Sequence, residues 1–349
     1  MVATACADGP DLGDLADGPP RDSTGSLPAP PVVDDPATPD GSEVPAGAWP
    51  AGVPPAPAPS PDPTPLPVDD DVRIGTLDNG LTYLLRSNGT PGASLDLRLV
   101  VDAGSLHQEV PDDGSAHVLE HMLFNGTERF PGNELTTRLQ QLGISFGADV
   151  NAFTSYDETV YLLGATTFDR GAVDTAFDVL AEWAARATLV ADDLAAEIGV
   201  VRDELRQSRE TLDGIVQTRF EELYTRGTVY EERVVIGDPE RVEQLDAETL
   251  RRFYDTWYRP DTMAVVAVGD LPLDVLEEAV VERFAELTPR IDDPPPAPDR
   301  TVPLDPAPRA EVLVLPDNPV DYLSLDLQLP VWDLGTVGGE RMAIVEEAV

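Results

Sequence analysis

The distribution of proline is the feature that most restricts how this chain can fold. Eighteen of its 35 prolines lie in the first seventy residues, which contain a single aromatic residue, Trp49. Runs such as PPAPAPSPDPTPLP favour extended polyproline geometry and offer little apolar surface to bury. We therefore predict that residues 1–71 form a disordered tether rich in Pro and Asp, and that the packed part of the chain begins at residue 72.

From residue 72 onward the sequence shows regular strand and helix patterns. Asp78-Asn79-Gly80 between alternating apolar residues predicts a β-hairpin, and SLDLRLVV at 94–101 predicts a sheet strand. Further strands are predicted at 145–153, 159–165 and 263–268, and helices at 114–125, 133–143, 170–188, 192–209, 247–258 and 273–287. Because strands lead and helices then cluster, we predict an α+β domain over 72–288, with helices covering a largely antiparallel sheet.

The sequence after residue 288 predicts a second, separate region. Eight prolines in 289–308 indicate a linker, which we place at 289–309. Beyond it, EVLVLP and DYLSLDLQLP predict two strands, and 339–349 predicts the start of a helix. We therefore predict that 310–349 begins a second α+β domain that is incomplete, so that the chain is a fragment or requires a partner.

The charge balance excludes several classes of function. The chain has 65 acidic and 23 basic residues, for a net charge of −42, and a sequence pI of about 4.1. Nucleic-acid binding depends on basic side chains that neutralise phosphates, so we predict no nucleic-acid partner. An anionic membrane surface repels such a chain for the same reason.

One Cys, at position 6, excludes an internal disulfide framework and a zinc site built from several thiolates.

The segment AHVLEHMLFNG carries the residues with the clearest chemistry. On a helix, His121 lies about 40° from His117 around the axis, and Glu120 lies about 60° from His117 on the other side. Two imidazoles one turn apart can bind one zinc ion, and a carboxylate beside them can accept a proton from water that the metal acidifies. The alternative interpretation is that these three residues are ordinary, solvent-exposed residues on the surface of a helix and bind no metal. The chain has only three His, however, and two fall at this spacing.

A catalytic zinc site requires a third protein ligand and an open position. Cys6 belongs to the predicted tether and His107 to a loop-like segment, so we expect the third ligand to be a carboxylate. The helical segment AAEIGVVRDELRQ offers Glu197 and Glu204, both at the edge of its apolar stripe. A solvated helix flank is the alternative interpretation, and for Glu204 taken alone it is the favoured one.

Several motifs in order resemble the pitrilysin/insulinase family of zinc metallopeptidases, whose H-x-x-E-H reverses the usual zincin order. The run DAGSLHQEVPDDGSAHVLEHMLFNGTERFPGNEL is similar to the family's zinc-site signature. NAFTSYDETVYLL is similar to its substrate-binding edge strand, and LRRFYDTWYRPDTMAVVAVGD to a later helix-strand pair. The resemblance covers roughly residues 74–335. It implies a half-domain of the mitochondrial-processing-peptidase-like type, followed by the start of a second similar domain.

The resemblance also implies a role for each site residue. His117, His121 and Glu197 would bind one zinc ion per chain, since Glu197 follows His121 by 76 positions in a segment like the family's E-x-x-V-x-x-x-E helix. Glu120 would be the general base that activates water. Glu204 would orient a zinc-binding His through its free ring nitrogen. Asn151 and Ala152 would bind substrate backbone by strand addition, with a turn role as the alternative for Asn151.

The function implied is a zinc metalloendopeptidase that hydrolyses peptides or unfolded polypeptides, within a chamber closed by a second homologous half or partner subunit. The alternative is a non-cleaving, metal-binding core or regulatory subunit of a two-part peptidase. A fold-sharing metal lyase with the same H-x-x-E-H helix is disfavoured, because the third metal ligand of such lyases is a Cys.

MVATACADGPD resembles the end of a bacterial lipoprotein signal. We therefore expect an extracytoplasmic or membrane-anchored protein with a lipidated Cys6 if a signal peptide lies upstream, and a cytoplasmic protein otherwise.

Overall fold

The structure is a computed structural model, and it describes residues 62–90, 92–111, 113–302, 313, 333 and 335–347. The chain divides into two compact units. One comprises Pro67–Pro330, and the other comprises Met1–Leu66 together with Val331–Val349. The domain boundaries expected from the sequence remain predictions, and the predicted tether lies almost entirely outside the described residues.

The larger unit contains a six-stranded sheet and eight α-helices within its described part. In chain order the elements are β1 (Val72–Thr76), β2 (Thr82–Ser87), β3 (Ser94–Val101), α1 (Ser115–Met122), α2 (Glu134–Gln141), β4 (Val150–Thr154), β5 (Thr159–Thr166), α3 (Arg170–Ala185), α4 (Ala191–Glu210), α5 (Leu212–Thr225), α6 (Pro239–Val242), α7 (Ala247–Trp257), β6 (Met263–Gly269) and α8 (Leu273–Phe284). A 3-10 turn at Ser105–His107 precedes α1.

The strand order in the sheet is β1-β2-β6-β3-β5-β4. Every neighbouring pair is antiparallel except β2 and β6, which are parallel. The alternation read from SLDLRLVV is present in β3, where Leu95, Leu97, Leu99 and Val101 are buried. The predicted α+β class with a largely antiparallel sheet is therefore confirmed, and β4 forms one edge of the sheet.

Helices pack on the sheet through an aromatic core. Helix α3 packs against β3 and β5, and α8 packs against β2. Trp183 of α3 donates its indole N–H to the carbonyl of Leu123 at 3.0 Å. The hydroxyls of Tyr161 and Tyr258 are 2.7 Å apart, and Tyr254 donates to the carbonyl of Trp183 at 2.8 Å. Since each polar tip of this buried cluster has a partner, the core holds the end of α1 firmly against α3.

One predicted strand differs from the structure, one helix was not predicted, and two predicted strands are not tested. The strand predicted at 145–153 begins only at Val150, because Asp149 accepts a hydrogen bond from the backbone N–H of Ser145 at 2.8 Å and Gly147 adopts a φ of 84°. Helix α5 was not predicted, and none of its residues is buried. The two strands predicted beyond residue 310 lie outside the described residues.

The smaller unit is described by residues 62–66, 333 and 335–347. Pro65 and Thr336 form an antiparallel bridge, and Val337 donates its backbone N–H to the carbonyl of Thr64 at 2.9 Å. The helix expected near the end of the chain is present as α9 (Val337–Glu347). Among the described helices of both units, none has the length and apolar character needed to cross a membrane.

Candidate metal centre

Helix α1 carries the H-x-x-E-H motif, and its start is set by two residues. Asp113 accepts a hydrogen bond from the backbone N–H of Ser115 at 2.8 Å, which satisfies one donor of the first turn. Gly114 adopts a φ of 72°, and a Cβ there would lie 2.9 Å from a methyl group of Val242. Only Gly fits this turn. The helix therefore begins at a fixed point and is almost wholly buried along its length.

The two histidine rings of α1 form an edge-to-face pair with centroids 4.7 Å apart. Oε2 of Glu204, on α4, lies 3.8 Å from Nε2 of His117 and 3.6 Å from Nε2 of His121. His117, His121 and Glu204 can offer one ligand atom each within 4.8 Å of one another. Ligands that share one zinc ion through bonds of ~2.0–2.1 Å lie about 3.3 Å apart in tetrahedral geometry. The three donors therefore fit a zinc-sized ion after small adjustments.

Glu197 contacts one of the two histidines, His121, on the side of the ring opposite Nε2. Its Oε1 lies 2.8 Å from Nδ1 of His121, and its Oε2 accepts a hydrogen bond from Asn125 at 2.7 Å. A carboxylate bound to Nδ1 fixes the ring orientation and tautomer of a histidine whose Nε2 faces a metal. Glu197 is thus placed to orient His121.

This geometry exchanges the positions that the sequence predicted for the two glutamates. The sequence predicted Glu197 as the third ligand and Glu204 as the carboxylate that orients a histidine. In the structure, Glu204 faces both Nε2 atoms, whereas both oxygens of Glu197 are engaged by His121 and Asn125. The physical reason is that α4 crosses α1 so that the more C-terminal of the two carboxylates lies over the histidine pair.

Burial sets the protonation of the site. It lowers the pKa of His117 to about 3, with a further contribution from neighbouring His121. The neutral imidazole, which is the form that binds metal, is therefore favoured at this position. Burial also acts to lower the pKa of His121, but the hydrogen bond with Glu197 and the surrounding carboxylates outweigh it and raise that pKa overall. The bond from His121 is the main cause of a lowered pKa at Glu197, whereas burial raises the pKa of Glu204.

Glu120 lies on α1 between the two histidines and is only 6% exposed. Burial raises its pKa to about 7, although a hydrogen bond from Thr154 opposes the shift. The hydroxyl of Thr154 donates to Oε2 of Glu120 at 2.6 Å. A carboxyl group with a pKa near neutrality can both accept and release a proton under ordinary conditions.

Asn151 and Ala152 lie on the edge strand β4, close in sequence to Thr154. The side-chain oxygen of Asn151 accepts a hydrogen bond from the backbone N–H of Ala152 at 2.9 Å. Asn151 is exposed and Ala152 is half-buried. The two residues are thus accessible on the strand whose last residue contacts Glu120.

Sequence reasoning missed Asn125 and Thr154. Both lie within the quoted motifs, in HMLFNG and NAFT, but nothing in their spacing indicates a partner on another element. The third histidine, His107, is not one of the three candidate ligands: its Nδ1 accepts the backbone N–H of Gly104 at 3.2 Å and its ring packs against Trp257. Cys6 lies outside the described residues.

An α+β domain with H-x-x-E-H on a buried helix, and a carboxylate-bearing helix packed against it, defines a protein of the inverted-zincin metallopeptidase class. Residues 83–234 match the family model described as Insulinase (Peptidase family M16), and residues 244–334 match the model described as Peptidase M16 inactive domain. The chain belongs to the insulinase family, peptidase family M16.

Relatives with known names or structures agree with this assignment. A Haemophilus influenzae protein named probable zinc protease PqqL is 34% identical over 221 residues, which are 63% of this chain and 24% of that protein. The crystal structure of the periplasmic protease PqqL from Escherichia coli has a TM-score of 0.64 and 32% identity, covering 67% of this chain and 26% of that chain. The first half of the same protease has a TM-score of 0.63 and 31% identity, covering 67% and 50%. The chain spans about a quarter of the length of the curated relatives named zinc protease PqqL or PQQL-like.

Proposed function

We propose that this chain carries the zinc site of a metalloendopeptidase that hydrolyses peptides or unfolded polypeptides. The observation that carries the proposal is the convergence of His117, His121 and Glu204 beside the buried carboxyl group of Glu120. The names of the relatives, zinc protease and periplasmic protease, support the same chemistry.

His117 and His121 would hold the zinc through their Nε2 atoms, and Glu204 would supply the third ligand. We assign Glu204 rather than Glu197 because only Glu204 faces both of those nitrogens. When bound, zinc supplies Lewis acidity, which lowers the pKa of water to ~7 and polarises a carbonyl group. Glu197 would keep His121 in the tautomer that leaves Nε2 available.

Glu120 would act as the general base. It would accept a proton from the attacking water and later deliver that proton to the nitrogen of the leaving amine. This role is supported by the burial of its carboxyl group and by its electrostatic interactions with His121 and Glu204.

The substrate would be an extended peptide that pairs with the edge strand β4. An unpaired strand edge offers backbone donors and acceptors to any extended chain, which gives affinity with little dependence on sequence. Asn151 and Ala152 would provide part of this pairing, and the side-chain contact of Asn151 with the N–H of Ala152 would be replaced by the incoming strand. Folded proteins lack a free extended segment and would be poor substrates.

A second half would complete the enzyme. The chain corresponds to half of the matched first-half structure of the Escherichia coli protease and to about a quarter of the whole relatives. We propose that a homologous half closes over the site. We also propose an extracytoplasmic location, because the matched Escherichia coli protease is periplasmic. A lipid anchor at Cys6 remains a prediction from the sequence alone.

The proposal is tested by measuring zinc content and peptide cleavage in the intact protein and in its Glu120→Gln variant. We expect about one zinc per chain in both, with cleavage of an unstructured peptide reduced at least about 100-fold in the variant, as for loss of a general base. Glu210→Gln, an exposed change on α4, is the matched control and should behave as wild type. Zinc bound without cleavage in either the wild-type protein or the Glu120→Gln variant would instead support the non-cleaving subunit. A folded protein that retains no zinc contradicts the proposed site.

A further inference from the structure

The hydroxyl of Thr154 makes a short contact with the proposed base. Thr154 donates to Oε2 of Glu120 across 2.6 Å, a distance typical of hydroxyl–carboxylate bonds with charged character. Within the described part of the chain, this is the side-chain hydrogen bond that the Glu120 carboxyl group makes. The two residues are 34 positions apart in sequence and belong to different elements, α1 and β4.

A glutamate on a helix does not by itself present one oxygen in one direction. The terminal torsion angle of a glutamate has a broad, roughly two-fold distribution, so that either carboxylate oxygen can point toward the reacting water. A donor fixed on a neighbouring element removes this freedom. It also satisfies one of the acceptor oxygens of a carboxylate that is almost fully buried.

The backbone around Thr154 is held by several hydrogen bonds, which makes its hydroxyl a fixed donor. Thr154 pairs with Thr159 of β5, and the next residue, Ser155, donates its N–H to the carbonyl of Glu158 at 2.8 Å. The hydroxyl oxygen of Ser155 accepts the N–H groups of Asp157 and Glu158. The turn is therefore closed by both backbone and side-chain bonds.

The same turn is tied to the segment that leads into α1. The carbonyl of Ser155 accepts the N–H of Ser105 at 3.0 Å, and the carbonyl of Tyr156 accepts the N–H of Leu106 at 2.9 Å. Thr154 and Glu120 are thus both mounted on parts of the fold that are joined to each other. A site supported in this way holds its geometry better than one built on free loops.

We infer that Thr154 is a positioning residue for the general base: it holds Oε2 of Glu120, so that Oε1 is the oxygen presented to the reacting water. The inference rests on the proposed function of Glu120. Because Thr154 is the last residue of β4, the strand that would bind the peptide also fixes the base that acts on it.

The principal test is the Thr154→Val variant of the intact zinc-loaded protein, with cleavage of an unstructured peptide as the readout. Valine keeps the branched shape but removes the donor. We expect kcat to fall about 10- to 100-fold, since loss of orientation at a reacting group has effects of this size, and KM to change by less than about threefold. Thr154→Ser, which keeps the hydroxyl, should recover most of the lost kcat.

A double-mutant cycle separates positioning from a general effect on the fold. In the Glu120→Gln background, Thr154→Val should cause little further loss, because the group that it positions is already inactive. The matched control is Thr166→Val, whose hydroxyl donates to the carbonyl of Ala93 at 3.1 Å at the other end of β5. That variant should keep wild-type kcat. Thermal unfolding of each variant checks that it is folded. If the valine variant is unfolded, kcat of Thr154→Ala is compared with kcat of Thr154→Ser, which again differ in the presence of the hydroxyl.

A second readout does not depend on cleavage. In protein loaded with Co²⁺, the visible absorption bands report the surroundings of the ion. Thr154→Val and Glu120→Gln should each change these bands, and the double variant should match Glu120→Gln alone. The inference is overturned if Thr154→Val keeps kcat within about twofold and leaves the cobalt bands unchanged, or if Thr154→Ser is as impaired as Thr154→Val. If the wild-type protein cleaves no peptide, the proposed function fails, while the cobalt spectra still show whether Thr154 holds the carboxyl group of Glu120.

Discussion

The two carboxylates of α4 meet the histidine pair in different ways, and this difference can be measured. Glu204 faces Nε2 of both rings, whereas Glu197 binds Nδ1 of His121 and the amide of Asn125. A carboxylate that binds the metal and a carboxylate that orients a metal-binding histidine both increase the metal affinity, but by different amounts. Loss of an orienting partner typically weakens metal affinity by about 10- to 100-fold.

We therefore expect Glu204→Ala and Glu197→Ala to differ in zinc binding. Glu197→Ala should weaken the affinity by about 10- to 100-fold and still bind one zinc per chain when zinc is in excess. Glu204→Ala should retain no stoichiometric zinc under the same conditions. Competition with a chelator of known affinity measures both, and Glu210→Ala on the exposed face of α4 is the control. If Glu197→Ala abolished binding while Glu204→Ala only weakened it, the assignment made from the sequence would be the correct one.

His107 gives a pH dependence of stability that is separate from the candidate metal centre. Burial lowers its pKa to about 4, helped by the positive charges of Arg300 and Arg233 and opposed by Asp102 and the contact with Gly104. In the unfolded chain a histidine has a pKa of ~6.5. Between these two pH values the unfolded state binds more protons than the folded state. The free energy of unfolding therefore decreases as the pH falls from 6.5 toward 4, and the contribution of neutral His107 is fully present only above pH 6.5.

We expect this residue to account for about 2 kcal/mol of the decrease in the free energy of unfolding between pH 7 and pH 5. His107→Gln cannot become charged and should lack this part of the decrease, while Gln can still accept the N–H of Gly104. Urea unfolding of both proteins at the two pH values, in the presence of a chelator, measures the difference. Equal pH dependence in the two proteins would show that His107 is as easily protonated when folded as when unfolded.

At the scale of elements, the β4–β5 hairpin is tied to the segment before α1 by close backbone packing at Gly104. A Cβ at this position would lie 2.2 Å from the carbonyl oxygen of Ser155 and 2.8 Å from the backbone of Tyr156. The φ of Gly104 is −139°, which any residue adopts, so its requirement is for space. The two backbone bonds from Ser105 and Leu106 to this turn depend on that close approach.

We expect Gly104→Ala to destabilise the protein by about 1–3 kcal/mol, as overpacking against fixed backbone does, and to lower peptide cleavage because the turn beside Thr154 is displaced. Gly143→Ala is the matched control. Gly143 has a φ of 76° with open space around it, so its cost is limited to backbone strain of about 1–2 kcal/mol, and cleavage should remain near the wild-type rate. Urea unfolding and kcat of both variants provide the comparison. Unchanged cleavage in a destabilised Gly104→Ala protein would mean that the hairpin does not transmit this displacement to the site.

The elements that carry the site differ in how far the sequence could predict them. His117, Glu120 and His121 were predicted on one helix face, because a period of 3.6 residues fixes their relative directions. The same period cannot separate Glu197 from Glu204, since seven residues bring the helix back to nearly the same direction. Which of them reaches the histidines depends on how α4 crosses α1, and that is decided by packing. Helix α5 was missed because its apolar side chains are only partly covered, so its sequence lacks a strong buried stripe.

At the scale of the whole molecule, charge is the dominant feature. The chain has 65 acidic residues and 23 basic ones, and all of the basic ones are Arg. Even if every Arg paired with one carboxylate, 42 carboxylates would remain without a cation. Local surface pairs such as Arg219 with Glu222 at 2.7 Å do form in the described part of the chain. Surface pairs of this kind contribute only about 0–1 kcal/mol each, whereas repulsion within a strongly charged molecule opposes the compact state as a whole.

Salt should therefore stabilise this protein, because it screens the repulsion of an excess that local pairs cannot neutralise. The Debye length falls from about 30 Å at 0.01 M ionic strength to about 10 Å at 0.1 M, so distant carboxylates cease to repel one another. We expect the free energy of unfolding in urea to rise by at least about 1 kcal/mol between 0.01 M and 0.5 M NaCl at pH 7, and the Tm to rise by a few °C. Sucrose at matched concentration controls for exclusion of solutes from the surface, which acts without screening. A free energy that falls as NaCl is added would mean that the local ion pairs outweigh the long-range repulsion.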